Sequence, residues 1–321
     1  MSSPRLDALG PLRHACHACG TCCEGWKVEL VDRAEAARIE RAALQLGIDR
    51  PIEGGALRQV DGRCVFLTDA RLCRIHGELG AEVKPRVCQQ FPKRATLTEA
   101  GYRVGLDPAC TSTERTWRTG PILEPLPAMQ DTRKLPADVA AAERGLVELA
   151  GARGATVAFF VGHFTGDPRW MPSLPPGFAT RAATLLRGMD LDAVRGIQGP
   201  DVAARLAHVA PRIAGLAPEK PPTWRGALRP EHDAFALEVI RRQLFLRLGD
   251  PAVPPFAQAL LLLLGTLAAA WAEPAAVPGA TVDTALFPPA LSAWARLVRA
   301  PACWQRLLPD LERARWLVTG A

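Results

Sequence analysis

Of the nine cysteines in the chain, eight fall between Cys16 and Cys110. The first four form the run Cys16-x2-Cys19-x2-Cys22-Cys23, and Cys64, Cys73, Cys88 and Cys110 follow at wider intervals. Thiolates two residues apart in a tight loop can converge on one metal centre without strain, and Gly20 supplies the backbone freedom such a loop requires. Cys16, Cys19 and Cys22 have the C-x2-C-x2-C spacing of bacterial ferredoxin ligands, which a remote fourth cysteine completes. Zinc competes for the same pattern, because two-residue spacing also opens zinc ribbons and eight thiolates could close two four-ligand sites. The adjacent pair Cys22-Cys23 tips the reading toward an iron-sulfur cluster, since neighbouring side chains are expected to diverge rather than share one small tetrahedral ion. The C-x3-C-x2-C spacing of radical S-adenosylmethionine enzymes is absent: Trp26 stands where a third cysteine would have to follow Cys19 and Cys23.

Two further stretches belong with the cysteines, Leu72-Cys73-Arg74-Ile75-His76 and Lys84-Pro85-Arg86-Val87-Cys88-Gln89-Gln90-Phe91-Pro92. Together with Cys22-Cys23-Glu24-Gly25-Trp26-Lys27-Val28, they make the first third of the chain resemble the CxxCxxCC zinc- or iron-chelating family. Within it, the Cys-Cys-x-Gly-Trp stretch and the run around Cys73 are most similar to the flagellin lysine-N-methylase branch. That resemblance implies a 4Fe-4S cluster bound through Cys16, Cys19, Cys22, Cys23, Cys64, Cys73 and Cys88. Cys110 would join them through the turn Asp107-Pro108-Ala109-Cys110. The resemblance also implies methyl transfer from S-adenosylmethionine to lysine side chains of flagellin or another protein. Arg74 and Arg86 are then candidates to clamp the carboxylate of S-adenosylmethionine, and with Lys84 and Lys93 they would also offset an anionic thiolate centre. Zinc, or iron in a purely structural or regulatory site, is the alternative.

The remaining candidates have plainer readings. Trp26 and Phe91 are expected to shield the centre from water. His14 and His17 read as solvated loop residues, His76 as a capping or core histidine, and Tyr102 as a packing residue. Cys303 reads as a small buried apolar group. There is no G-x-G-x-x-G after a strand, no G-x-S-x-G elbow, no P-loop and no H-E-x-x-H helix, so the familiar routes to cofactor binding and hydrolysis are not signalled. The formal charge of +6 carries no Lys/Arg block or aromatic-interleaved basic stripe, which argues against a nucleic-acid surface. Met1–Arg13 lacks an apolar h-region, so a reducing cytoplasm is expected, where clustered cysteines serve as metal ligands more readily than as disulfide partners.

The elements that must position these residues read as a mainly α protein. A cysteine-rich metal-binding domain of short strands and helices spans residues 1–118, and an α-helical domain spans 119–321. The hydrophobic content of 48% suffices for a substantial core. Asp32 and Glu35 have the form of a capping box for a helix over Ala34–Leu46 that Gly47 stops. Arg63–Leu67 and Leu72–Ile75 read as two extended pieces joined by a turn, bringing Cys64 to Cys73, and Tyr102–Leu106 as a further strand. Helices are predicted over Asp138–Leu149, Ala179–Met189, Asp201–Ala214, Glu231–Leu248 and Phe256–Ala272, with two more after Ala290. Proline-rich segments at 121–136, 168–176, 218–222 and 274–289 separate them. Phe256–Ala272, with its run of leucines from Leu260 to Leu264, is slightly short for a bilayer, contains Gln258 and Thr266 and lacks basic flanks. It reads as a buried core helix, with no membrane partner.

Overall fold

The computed structural model describes residues 5–124, 134–164, 176–189, 200–207, 209–215, 217, 230–272 and 286–320. After β1 (Leu6–Ala8), the first cysteine run lies in a loop that closes in a single 3-10 turn, Thr21–Cys23. Helix α1 (Arg33–Gln45) then begins where the capping box predicts. Asp32 Oδ1 accepts from the Glu35 N–H at 2.8 Å, while Glu35 Oε2 accepts in return from the N–H of Val31 at 2.7 Å. Gly47 takes a φ of 65° and ends it.

Two short hairpins follow, β2 (Ile52–Glu53) with β3 (Ala56–Leu57) and β4 (Gln59–Val60) with β5 (Arg63–Cys64). Asp61 and Gly62 both have positive φ, the backbone that a two-residue hairpin loop needs. The predicted second extended piece is cut short: Leu67 pairs with Cys73 in one bridge, and the chain then enters a π-helical turn, Ile75–Leu79. Next come α2 (Arg86–Gln90), β6 (Lys93–Thr98), β7 (Gly101–Leu106) and α3 (Thr111–Thr116). Strand β7 is central in a sheet of order β1-β7-β6, parallel to β1 and antiparallel to β6. Tyr102 lies in it opposite Leu97 and Leu6.

The described residues beyond these are mainly helical: α4 (Ala137–Ala150), α5 (Val157–Phe164), α6 (Pro176–Arg187), α7 (Pro200–Leu206), α8 (Val209–Ala214), α9 (Pro230–Phe245), α10 (Pro255–Ala272), α11 (Phe287–Leu297), α12 (Pro301–Leu307) and α13 (Leu311–Thr319). The single helix predicted over 201–214 is two, because the ring of Pro211 is incompatible with a continuous helix through Ala207. Beyond Ala290, two helices follow α11, which itself starts at Phe287. Helix α5 was not predicted; its signal is Thr156, whose hydroxyl accepts from the Phe159 N–H at 3.1 Å as an N-cap. The predicted proline-rich connections lie largely outside the described residues.

Helix α10 is long and apolar enough to cross a membrane by length and composition, yet 94% of its 18-residue window is buried among the other helices. Trp294 of α11 lies directly over Gly265, where any Cβ would collide with the indole, and donates from Nε1 to the Leu261 carbonyl at 2.9 Å.

Polar contacts join the sheet and cysteine loops to this helical body. Arg103 donates to Glu143 at 2.6 Å and to the Ala140 carbonyl at 2.8 Å. Arg299 grips Asp107 with two bonds of 2.8 and 2.7 Å, the bidentate geometry that Arg–carboxylate pairs favour. The Thr96 hydroxyl donates to the Leu246 carbonyl at 2.6 Å.

Candidate metal centre

The fold sorts the eight clustered cysteines into two neighbouring groups. Cys64, at the end of β5, is buried in a small core with Val28, Ile39, Ala43, Leu46, Leu57, Phe66 and Ile75, and Cys23, Cys73 and Cys88 pack against that core. Cys22 joins them from the 3-10 turn, its Sγ 3.9 Å from that of Cys23. The second group lies along α3. Cys19 Sγ is 2.9 Å from the Thr111 hydroxyl, and Cys110 Sγ is 3.6 Å from His14 Nε2. Cys16 is exposed and its sulfur accepts from the Ala18 N–H at 3.4 Å. All nine cysteines are free thiols. Among the described residues no three His, Cys, Asp or Glu side chains converge into a ready metal site.

The Cys22-Cys23 pair departs from the expectation that adjacent side chains diverge. Two thiolates on one zinc at about 2.3 Å and tetrahedral angles stand about 3.8 Å apart, close to the 3.9 Å separation of these two sulfurs. The 3-10 turn tightens the backbone enough to bring both side chains to one side. The spacing of this pair therefore suits a single tetrahedral ion as well as a cluster, and adjacency does not favour iron-sulfur.

Burial disfavours the thiolate form of Cys64 and Cys88. It pushes the Cys64 thiol up to about 11 and the Cys88 thiol up to about 12, and the neighbouring charges of Cys73 and Cys22 push both in the same direction. Cys22 is raised further still, first by its hydrogen bond with Cys23 and then by burial. An anionic sulfur here is unfavourable without a cation beside it. Lys84 is the basic residue whose charge reaches Cys88 and Cys22. In the second group, burial raises Cys19, but hydrogen bonds from Thr111 and Thr21 together outweigh it and leave the thiol lowered. Cys110 is pushed up to about 12 by burial, and Cys303, deep in the helical core as expected, up to about 11.

Other predicted site residues are placed differently. Arg74 is engaged by Glu78 of its own turn, at 2.8 Å. Arg86 pairs with Asp32 and lies 3.8 Å from Glu35, so neither arginine presents an unpaired guanidinium. Lys93 reaches the Glu124 carbonyl at 3.5 Å. His76 is exposed and His17 is exposed, but His14 is buried against Cys110 rather than solvated. Trp26 and Phe91 touch with ring centroids 6.3 Å apart, and Trp26 packs against the small core.

Gly20, expected from the spacing, and two residues that no motif singled out, Arg71 and Arg296, hold the loop in place. Arg71 donates to the Cys19 carbonyl at 2.7 Å and to the buried Glu24 carboxylate at 2.9 Å. Gly20, with φ 73°, lies so close beneath Arg71 that a Cβ would come within 2.9 Å of its backbone oxygen. From the far end of the chain, Arg296 of α11 donates to the carbonyls of Thr21 and Glu24, which bracket the two cysteines, while its guanidinium lies 4.3 Å from the Trp26 ring centroid. No local pattern announces Arg296; an arginine 2% exposed on an otherwise apolar helix is the only trace of it.

Residues 15–116 match the family model CxxCxxCC, described as a putative zinc- or iron-chelating domain. No curated protein and no solved structure matches the chain. The match covers about the first third of the chain and does not extend to the flagellin lysine-N-methylase branch.

Proposed function

We propose that this domain holds zinc or iron through Cys22, Cys23, Cys64, Cys73 and Cys88. In this role the bound metal cross-links chain segments whose shared core is too small to hold them. The observation that carries the proposal is the convergence of five cysteines, from the 3-10 turn, β5, the bridge at Leu67 and α2, on one small core. Metal bound by thiolates contributes its binding energy directly to folding. Reduced thiols persist in a reducing compartment, and the cytoplasm is the setting this function needs.

A second reading is a 4Fe-4S protein that moves a methyl group from S-adenosylmethionine to a protein lysine, such as one on flagellin. What favours a cluster is that five thiols exceed the four a tetrahedral ion takes, and that the charge of Cys19 also reaches Cys22. The transfer step further needs a neutral lysine aligned with the methyl donor, and Arg74 and Arg86, its expected carboxylate clamp, are held by Glu78, Asp32 and Glu35. The metal-binding function therefore rests on more of the geometry than the transferase does.

Anaerobic purification followed by assay of zinc, iron and acid-labile sulfide tests both. Near-stoichiometric zinc or iron without sulfide, lost in Cys64→Ser and Cys88→Ser but kept in Cys303→Ser, is the expected result. Iron with matching sulfide would replace it by the second reading. Metal retained equally by all three variants would overturn the ligand assignment.

A further inference from the structure

The described surface holds a cavity of about 270 Å³ that none of the cysteines lines. It lies between the segment after β1, strand β7, the end of α3 and helix α9. Its walls are apolar where Leu12, Val104 and Phe245 face it, but four guanidinium groups and a single carboxylate, Glu238, also line it. Both oxygens of Glu238 are already committed: Oε1 accepts from Arg242 Nε at 2.6 Å and Oε2 from Arg241 Nη1 at 3.0 Å. Arg13 donates to the Gly120 carbonyl at 3.0 Å, and Arg118 stacks 4.3 Å from the Trp117 ring centroid without an anionic partner among the described residues.

Arg242 is the informative member. It is 8% exposed, pairs with Glu238 through Nε at 2.6 Å, and its guanidinium lines the cavity beside Arg241, Arg118 and Arg13. With four guanidinium groups at the cavity and its one carboxylate already committed, the complementary ligand is an oxyanion, which meets a guanidinium edge with two parallel bonds.

We propose that this cavity binds a small organic oxyanion, a carboxylate or phosphate monoester, whose head group pairs with Arg242 and Arg118 and whose apolar or planar body lies against Leu12, Val104 and Phe245. The volume limits the body to roughly one ring or a short aliphatic chain, below the range of drug-sized sites. The assignment is independent of which metal the cysteine domain holds.

The test is calorimetric titration of the full chain, as purified, with phenyl phosphate, benzoate, inorganic phosphate and benzylamine. Phenyl phosphate or benzoate is expected to bind saturably with a Kd of about 1 mM or tighter, inorganic phosphate more weakly, and the cation benzylamine not at all. Arg242→Gln is expected to weaken the anion about tenfold or more, in line with loss of a charge-assisted pair. Because Arg242 is buried, its replacement can compromise folding, so the exposed Arg118→Glu provides a second reading and is expected to weaken binding by a similar factor. Failure of both organic anions to bind, benzylamine binding as well as they do, or affinity unchanged in Arg118→Glu would each overturn the assignment. Inorganic phosphate binding as tightly as phenyl phosphate would overturn the part played by the apolar wall.

Discussion

The cysteine region and the helical body are built on opposite plans. Around α10 the buried side chains, from Val147 to Val318, form one large apolar cluster to which helix after helix contributes. Around Cys64 the buried cluster consists of Val28, Ile39, Ala43, Leu46, Leu57, Cys64, Phe66 and Ile75, and the hairpins that surround it have strands of two residues. A region with so little apolar area and such short ladders needs a cross-link to hold it, as small domains with disulfides or structural metals do. The helical body requires none. The lesson is that thiols here stand in positions that leucines fill elsewhere in the same chain.

The largest test of that contrast is metal removal. Exhaustive chelation under reducing conditions should cost the cysteine domain on the order of 10 kcal/mol. Amide exchange would then show protection lost in the 15–116 region and retained in α9 and α10. Loss of protection throughout would mean that the two regions are one cooperative unit and would break the comparison.

The seam between them gives the next test. Asp107 is 1% exposed and clamped by Arg299, so Asp107→Asn should destabilise the chain by about 3–5 kcal/mol, the cost of stranding one partner of a buried pair. Burial alone would raise the Asp107 carboxyl, but the Arg299 charge and hydrogen bonds outweigh it and hold it below the usual carboxylate range. A depressed folded-state value means that this contribution is fully present above about pH 4, where the unfolded carboxyl is ionised, and is lost as pH falls through the depressed value. Denaturant midpoints of wild type and Asp107→Asn should therefore converge as pH drops below about 4; a gap that persists there would assign the loss to packing instead.

The smallest effect probes the cysteine domain alone. Asp32→Ala removes the cap of α1 and should cost about 1 kcal/mol, read as a small fall in the unfolding midpoint of the metal-loaded protein. Metal content should not change, because Asp32 anchors the helix and contributes no thiol.

Much of this was legible in the residues. The capping box at Asp32 and Glu35, the stop at Gly47, the buried helix at Pro255–Ala272 and the strand at Gly101–Leu106 depend on neighbours within a few positions, which a linear pattern records. The division of 201–214 into two helices was missed although Pro211 signalled it, and α5 was missed although Thr156 did. The roles of Arg74 and Arg86 were not legible, since their acidic partners come from a π turn and from the start of α1.

Which residue types could bind a metal, and how many thiols the chain offers, are properties of the sequence by itself, because thiolate chemistry and two-residue spacing are local. Only the tertiary structure decided that Cys22, Cys23, Cys64, Cys73 and Cys88 share one neighbourhood while Cys19 and Cys110 turn toward α3, and that Arg296, far along the chain, holds the turn carrying the pair. Contacts of that kind depend on which apolar faces bury against one another, a choice made by the whole core and written in no single stretch of the chain.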